Sequence, residues 1–428
     1  MGKPFYWVKR LIFAGLILLL SVTTIAKEVQ MWTWYGGVLG EIFRQIIKED
    51  FTAKTGIDVV VRTVPEDDSH FQSFLLAYIG GNAPDIVEIY SHHAGELGLR
   101  EALVDLRTLP DSEKVLGQIA PALLESVKFR GSVFAIPSEV NWEQMYYRKD
   151  ILTAMGSEPP KTWDELGVIN VKLRANGKNS YYEFQGDNQT ANLFYPLVWQ
   201  RGIDIYNQEG TESNLDDKEA IVAFIKFTSL YTKYGLLQET PIYTTFANGE
   251  VPIAILQNWH YSVIEGTAPQ IIDKWSITEI PGTLQNNKID HTGTGKLLVW
   301  GIPDSSKKKN EAWELLKFLS SNEFITKFMN RAFNSQEKWR LTFSNQEALV
   351  NAPFPARIQP VLDACLKHCK LKQVVPGGYS ADRYIAFAYN KVVINGEDPE
   401  KAIRKAAAEC TVEIQKKIKE FSRFIKKL

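Results

Sequence analysis

Gly131-Ser132-Val133-Phe134-Ala135-Ile136-Pro137-Ser138-Glu139-Val140-Asn141-Trp142-Glu143-Gln144-Met145-Tyr146-Tyr147-Arg148-Lys149-Asp150 is the stretch on which the fold turns. An apolar, strand-like run is stopped by Pro137, a polar and aromatic segment follows, and a second run rich in β-forming side chains closes it. Such a stretch reads as a crossover between two packed units. The length agrees, because 428 residues exceed the size at which one hydrophobic core stops growing.

Upstream of the crossover, Val29 to Tyr35 alternates as a strand and ends in Gly36-Gly37. Ile42, Phe43, Ile46, Ile47 and Phe51 then recur at helical spacing until Gly56, and Ile57 to Thr63 is a second strand. Strand, helix and strand in this order predict a right-handed βαβ unit in a mostly parallel sheet. A helical face follows at Phe71, Phe74, Leu75, Tyr78 and Ile79, then a turn at residues 80–84 and a strand from Asp85 to Tyr90. Ligands of such sheets sit beyond the carboxyl ends of the strands, which points at Trp34, Tyr35, Tyr90, Ser91 and His92.

Downstream, Thr162-Trp163-Asp164-Glu165 is a capping box that opens a helix, and Asp216-Asp217 opens another that stops before Gly235. Phe246 to Glu250 reads as a turn, and Val251 to Leu256 as a strand delivering Gln257, Asn258, Trp259, His260 and Tyr261. Gly293 to Pro303 is again a strand closed by a proline, followed by an amphipathic helix over Ala312 to Leu319, so the chain is expected to recross there. Pro399, just after Asp398, starts a long helix running to Lys426-Lys427.

Composition excludes several classes. With 45% hydrophobic and 23% charged residues the chain is ordinary globular protein, and a formal charge of -1 supplies no long-range field for nucleic acid or an anionic membrane. Lys3, Lys9 and Arg10, the short apolar run Leu11 to Leu20, and Thr24-Ile25-Ala26 have the form of an export signal, so the mature chain is expected to start near Lys27. No cysteine stands near that point to carry a lipid, which favours a periplasmic protein; an uncleaved anchor is the other reading. Cys365, Cys369 and Cys410 fall on helical apolar stripes and read as buried thiols, with one disulfide between the two helices as the alternative.

Several stretches taken together resemble the extracellular solute-binding proteins of ABC importers, in particular their sugar-binding group. They are residues 51–57, 81–86, 133–137 with 146–150, 160–166, 248–250, 312–319 and 396–402. Each is weak alone, but their order covers nearly the whole mature chain. The resemblance implies an α/β, two-lobed periplasmic-binding-protein-like fold with discontinuous lobes and a multi-segment hinge. It divides the chain into a signal (1–26), a first lobe (27–136 and 296–345) and a second lobe (137–295 and 346–428). Its ligand would be trapped between the lobes, by Trp34, Tyr35, Tyr90, Ser91, His92, Asn141, Trp142, Asn258, Trp259, Tyr261, Gly293, Tyr379 and Tyr384. Membrane permease subunits would read the closure. A monomer with no cofactor and no resident metal is expected.

A sugar ring has apolar C–H faces and hydroxyls in its plane, so its site needs aromatic plates with planar donors and acceptors. Trp34, Trp142, Trp259 and Tyr261 can supply the first, and His92, Asn141, Gln257 and Asn258 the second. Two rivals come from other chemistries. Glu139 and Glu143 would suit a glycosidase, but no nucleophile elbow or zinc-protease motif accompanies them. Tyr146-Tyr147 and Tyr181-Tyr182 would suit ferric iron, against strand packing as the simpler reading.

Overall fold

The computed structural model describes residues 27–65, 68–129, 131–183 and 190–422. The expected signal and the basic end at Lys426-Lys427 lie outside the described residues. Among those described, no helix is long and apolar enough to cross a membrane.

Nine strands form the main sheet: β1 Lys27–Thr33, β2 Ile57–Thr63, β3 Ile86–Tyr90, β4 Ile136–Arg148, β5 Ser180–Tyr182, β6 Ile253–Gln257, β7 Trp275–Thr278, β8 Gly293–Gly301 and β9 Cys369–Leu371. Seven of them run in the order β2-β1-β3-β8-β4-β6-β5, while β9 pairs with β8 and β7 with β4. At one end β1 lies parallel to both neighbours, with Met31 opposite Val61 and Ile86. The intervening helix begins at Gly37, widens into a π turn over Ile47–Thr52 and ends on Gly56, whose φ of +68° glycine adopts without strain.

The crossover is one strand and not two. Pro137 was expected to end a strand; instead it is the second residue of β4, which continues through Asn141 and Trp142 to Arg148. The ladder shifts register between Leu297 and Val299, opposite Pro137, and such an irregularity accommodates a residue without an N–H. The first half of β4 pairs with β8 (Asn141 opposite Lys296), and its second half with β6 (Glu143 opposite Gln257) and β7 (Met145 opposite Thr278). β8 then reaches β3, with Leu298 opposite Tyr90. A further segment runs alongside: Thr342 accepts from the Val140 N–H at 2.9 Å and Ser138 accepts from the Ser344 N–H at 2.7 Å.

Two apolar cores flank this sheet. One gathers Phe43, Ile89, Ile136, Val140, Trp300, Trp313 and Phe328. The other holds Met145, Trp163, Phe194, Phe224, Tyr389 and Ile403. Each such side chain contributes about 1.5–3 kcal/mol on burial, so β4, with Val140 in one core and Met145 in the other, is anchored on both sides. The helix starts read from the sequence are present: Thr162 caps Glu165, Asp217 caps Glu219 and Asp398 caps Lys401, the last at 2.8 Å.

Two expectations fail locally. Phe246, Ala247 and Asn248 are not a turn but the end of the Ile242–Asn248 helix, stopped by Gly249 at φ +78°. Cys369 does not extend a helical stripe; it opens β9 after the Gln359–Lys367 helix. All three cysteines are free. Cys365 belongs to the first core and Cys410 to the second, where its thiol donates to the Ala381 carbonyl at 3.3 Å, so the disulfide between the two helices is not formed.

Candidate functional site

Side chains alternate along a strand, so β4 presents two different faces. Glu139, Asn141 and Glu143 share one face; Trp142, Gln144 and Tyr146 share the other. On the first face Glu139 and Asn141 border a cavity of about 330 Å³, together with Trp34, Glu88, Trp259 and Arg340. This cavity is therefore walled from both ends of the sheet, by Trp34 just past β1 and Trp259 just past β6.

The walls are held from behind. The indole N–H of Trp34 donates to the Pro65 carbonyl at 2.8 Å, and its ring lies 5.1 Å from that of Tyr90. The Tyr35 hydroxyl donates to the Glu139 carboxylate, and the Thr33 hydroxyl donates to Glu88. Across the cavity, Trp259 stacks on His260 with centroids 3.6 Å apart, and His260 is itself fixed by the Tyr243 hydroxyl and by Glu183, each at 2.9 Å. Rings and carboxylates are thus preset in orientation.

Farther along the same face lies Glu143. Burial raises its carboxyl to about 8, against the opposing pull of the Tyr182 hydroxyl, which donates to it at 3.1 Å, and of the Lys296 charge. Near neutral pH this side chain is mostly a neutral acid, able to donate as well as accept. Its cross-strand neighbour Gln257 has a buried side-chain oxygen without a partner. Beyond these, Tyr90, Ser91, His92, Lys296 and Tyr379 line a narrow neck. Burial holds the His92 imidazole well below its usual range, so it is neutral there.

The structure thus brings Trp34, Tyr35, Asn141 and Trp259 to the cavity, and Tyr90, Ser91, His92 and Tyr379 to the neck. The remaining five lie elsewhere. Trp142 is 3% exposed, turned to the opposite face of β4, where its indole N–H donates to Gln144 at 3.2 Å. Asn258 is fully buried; it accepts from the Trp142 N–H at 3.1 Å and donates to the Thr342 hydroxyl at 3.1 Å. Tyr261 is buried between Trp275 and Phe354. Gly293 serves as backbone, donating to the His368 carbonyl at 3.0 Å. Tyr384 meets Arg383 and the exposed Phe387.

Sequence reading missed Glu88, Asn192, Lys296, Trp339 and Arg340 around these spaces. Strand parity could have found Glu88 and Lys296, since each sits two residues from another wall residue. The paired tyrosines serve packing: the Tyr146 hydroxyl donates to the Gln257 and Asn258 carbonyls, and burial raises both the Tyr146 and Tyr182 phenols, opposing the phenolate that ferric iron requires.

Comparison with known proteins bears on the same arrangement. A putative binding protein of Brucella abortus is 25% identical over 426 residues, covering 95% of this chain and 98% of its own. An arabinooligosaccharide-binding protein of Halalkalibacterium halodurans is 23% identical over 323 residues, covering 68% of this chain and 71% of its own. An ABC transporter solute-binding protein of Thermotoga lettingae, solved with α-D-tagatose bound, superposes with a TM-score of 0.74 at 21% identity, over 91% of this chain and 100% of its own. That likeness confirms the two-lobed α/β fold. The model of the bacterial extracellular solute-binding proteins matches residues 36–324, and the chain belongs to that family.

Proposed function

We propose that this protein is the periplasmic substrate-binding component of an ABC importer, capturing a sugar or oligosaccharide between its lobes and delivering it to a membrane permease. The observation that carries the reading is the cavity of about 330 Å³, where Trp34, just past β1, and Trp259, just past β6, line one space with Glu88, Glu139 and Asn141. Indole rings suit the C–H faces of a sugar, while carboxylates and amides accept from its hydroxyls. The arabinooligosaccharide-binding relative and the tagatose-bound structure support the same class of ligand. A ligand touching both lobes stabilises their closed arrangement by its differential contacts, and that closure is the signal a permease reads.

A thermal-shift and calorimetry panel of mono- and oligosaccharides tests the proposal. A bound sugar at a hundredfold excess over its Kd should stabilise the fold by about 2.7 kcal/mol. Trp259→Ala should weaken binding about tenfold or more while leaving the unliganded melting temperature nearly unchanged, since that ring is half-buried at the cavity wall. A panel in which no sugar binds, or new products after incubation with oligosaccharides, would overturn the reading.

A further inference from the structure

The Ser91–Leu99 helix is covered on more than one side, since eight of its nine residues are buried. Ala94 and Leu97 belong to the first core. Gly95 instead meets Val374, in the segment that leaves β9: a Cβ at Gly95 would lie 2.1 Å from Val374 Cγ1 and 3.4 Å from Val374 Cβ. The missing side chain is what lets the two segments touch. That segment is bound to the second core, because Lys372 pairs with Asp382 at 2.5 Å, the Tyr195 hydroxyl donates to the same carboxylate, and Val375, Tyr195 and Ala381 are members of that core.

Two further contacts join the same parts. Tyr379 stands at the start of the Gly378–Val393 helix, whose Ala381 and Ile385 lie in the second core, yet its ring packs on the first. It meets His93 edge-on at 4.8 Å and Phe71 at 5.7 Å, with His93 stacked on Phe71 at 3.8 Å. Arg100, just past the Ser91–Leu99 helix, lies 5.0 Å over the ring of Phe421, just past the Pro399–Glu420 helix. Val374 also borders two spaces, one of about 910 Å³ that Tyr379 lines as well and one of about 310 Å³, so open volume flanks the Gly95 contact. Gly95, Val374, Arg100 and Phe421 all stand outside the lining of the 330 Å³ cavity.

We propose that this seam is a clasp, a contact of protein with protein made when the lobes built on the two cores come together, which shares with the ligand the work of holding them closed. The proposal rests on the closure reading above and adds that apparent affinity is set in part away from the binding cavity. When the closed form is depopulated, the apparent Kd rises in proportion, so loosening the clasp weakens every ligand alike.

The test begins without ligand, on the full mature chain. Gly95→Cys combined with Val374→Cys places two thiols at a Cβ separation close to the disulfide mean of about 3.8 Å. Under diamide this pair should crosslink, leaving the native thiols alone to titrate in denaturant, and the crosslinked protein should scatter with a smaller radius of gyration than the same protein reduced. Next, Gly95→Ala is measured by calorimetry with maltotriose and arabinotriose. Alanine is the better helix former, so the ligand-free melting temperature should hold, while Kd should rise about tenfold for whichever sugar binds. Adding Val374→Ala, which removes Cγ1, should restore the wild-type Kd. No crosslink under diamide, or a Gly95→Ala protein with the wild-type Kd, overturns the clasp and leaves the sugar reading standing. Failure of the wild type to bind either trisaccharide counts against the sugar reading, and the crosslink and its compaction then decide the clasp.

Discussion

The two faces of β4 differ in how their polar groups are satisfied. On one face Trp142, Gln144 and Tyr146 close a chain of hydrogen bonds among themselves: indole to amide at 3.2 Å, amide to phenol at 2.9 Å, phenol to the Gln257 carbonyl at 3.0 Å. On the other, Glu139 and Asn141 border the cavity, while Glu143, held by the Tyr182 hydroxyl, is pushed to about 8 beside an unpaired Gln257 oxygen. The first face turns its polar groups on one another and serves stability; the second turns Glu139 and Asn141 toward the cavity between Trp34 and Trp259. Neighbouring residues of one strand, one position apart, thus do different work.

The strongest way to break that contrast is to empty the first face. Trp142→Ala should cost about 3–5 kcal/mol in denaturant unfolding, because it removes a large buried ring and strands the Gln144 amide oxygen. Ligand affinity measured well below the new midpoint should change little. A stable Trp142→Ala protein that has lost its ligand would put Trp142 in the site and undo the distinction.

The second face has its own signature in pH. Glu143 has a folded pKa raised above its unfolded value near 4.5, so between those values the native chain holds more protons than the unfolded one. Stability is therefore lost as pH rises from about 4.5 to about 8, by on the order of 2 kcal/mol once its partial exposure is allowed for. Glu143→Gln, which keeps the neutral shape, should remove this slope from chemical-denaturation curves taken between pH 5 and 8. A slope identical in the variant would assign it to other groups.

A smaller effect sharpens the same comparison. Tyr146→Phe removes one hydroxyl from the closed chain and should cost about 1–2 kcal/mol, with the pH slope of Glu143 retained. A ligand-affinity loss without a stability loss in this variant would contradict the placement of Tyr146 on the first face.

Asn141 and Trp142 illustrate how far the sequence could be read. Both were expected in the cleft because they follow the crossover, yet adjacent residues of one strand face opposite ways, and only the knowledge that β4 continues past Pro137 makes that rule apply. Trp259 and Tyr261 have the same lesson from a helix: Trp259 precedes the His260–Thr267 helix and stays at the rim, while Tyr261 turns inward against Trp275. Asn192 carried no signal at all, since an amide inside an apolar helical run looks like any core position until its unpaired oxygen is seen against the neck.

The linear order of apolar runs, glycine stops and capping residues was enough by itself for the α/β class, the parallel βαβ start and the helix boundaries at Thr162, Asp217 and Asp398. These depend on contacts within a few residues, which local side-chain chemistry dictates. Only the tertiary structure decided that the crossover is one strand, which of its faces meets the cleft, and that a second space opens beyond Tyr379. Each of those depends on pairing between segments more than a hundred residues apart, such as Asn141 with Lys296, and periodicity along the chain carries no record of that register.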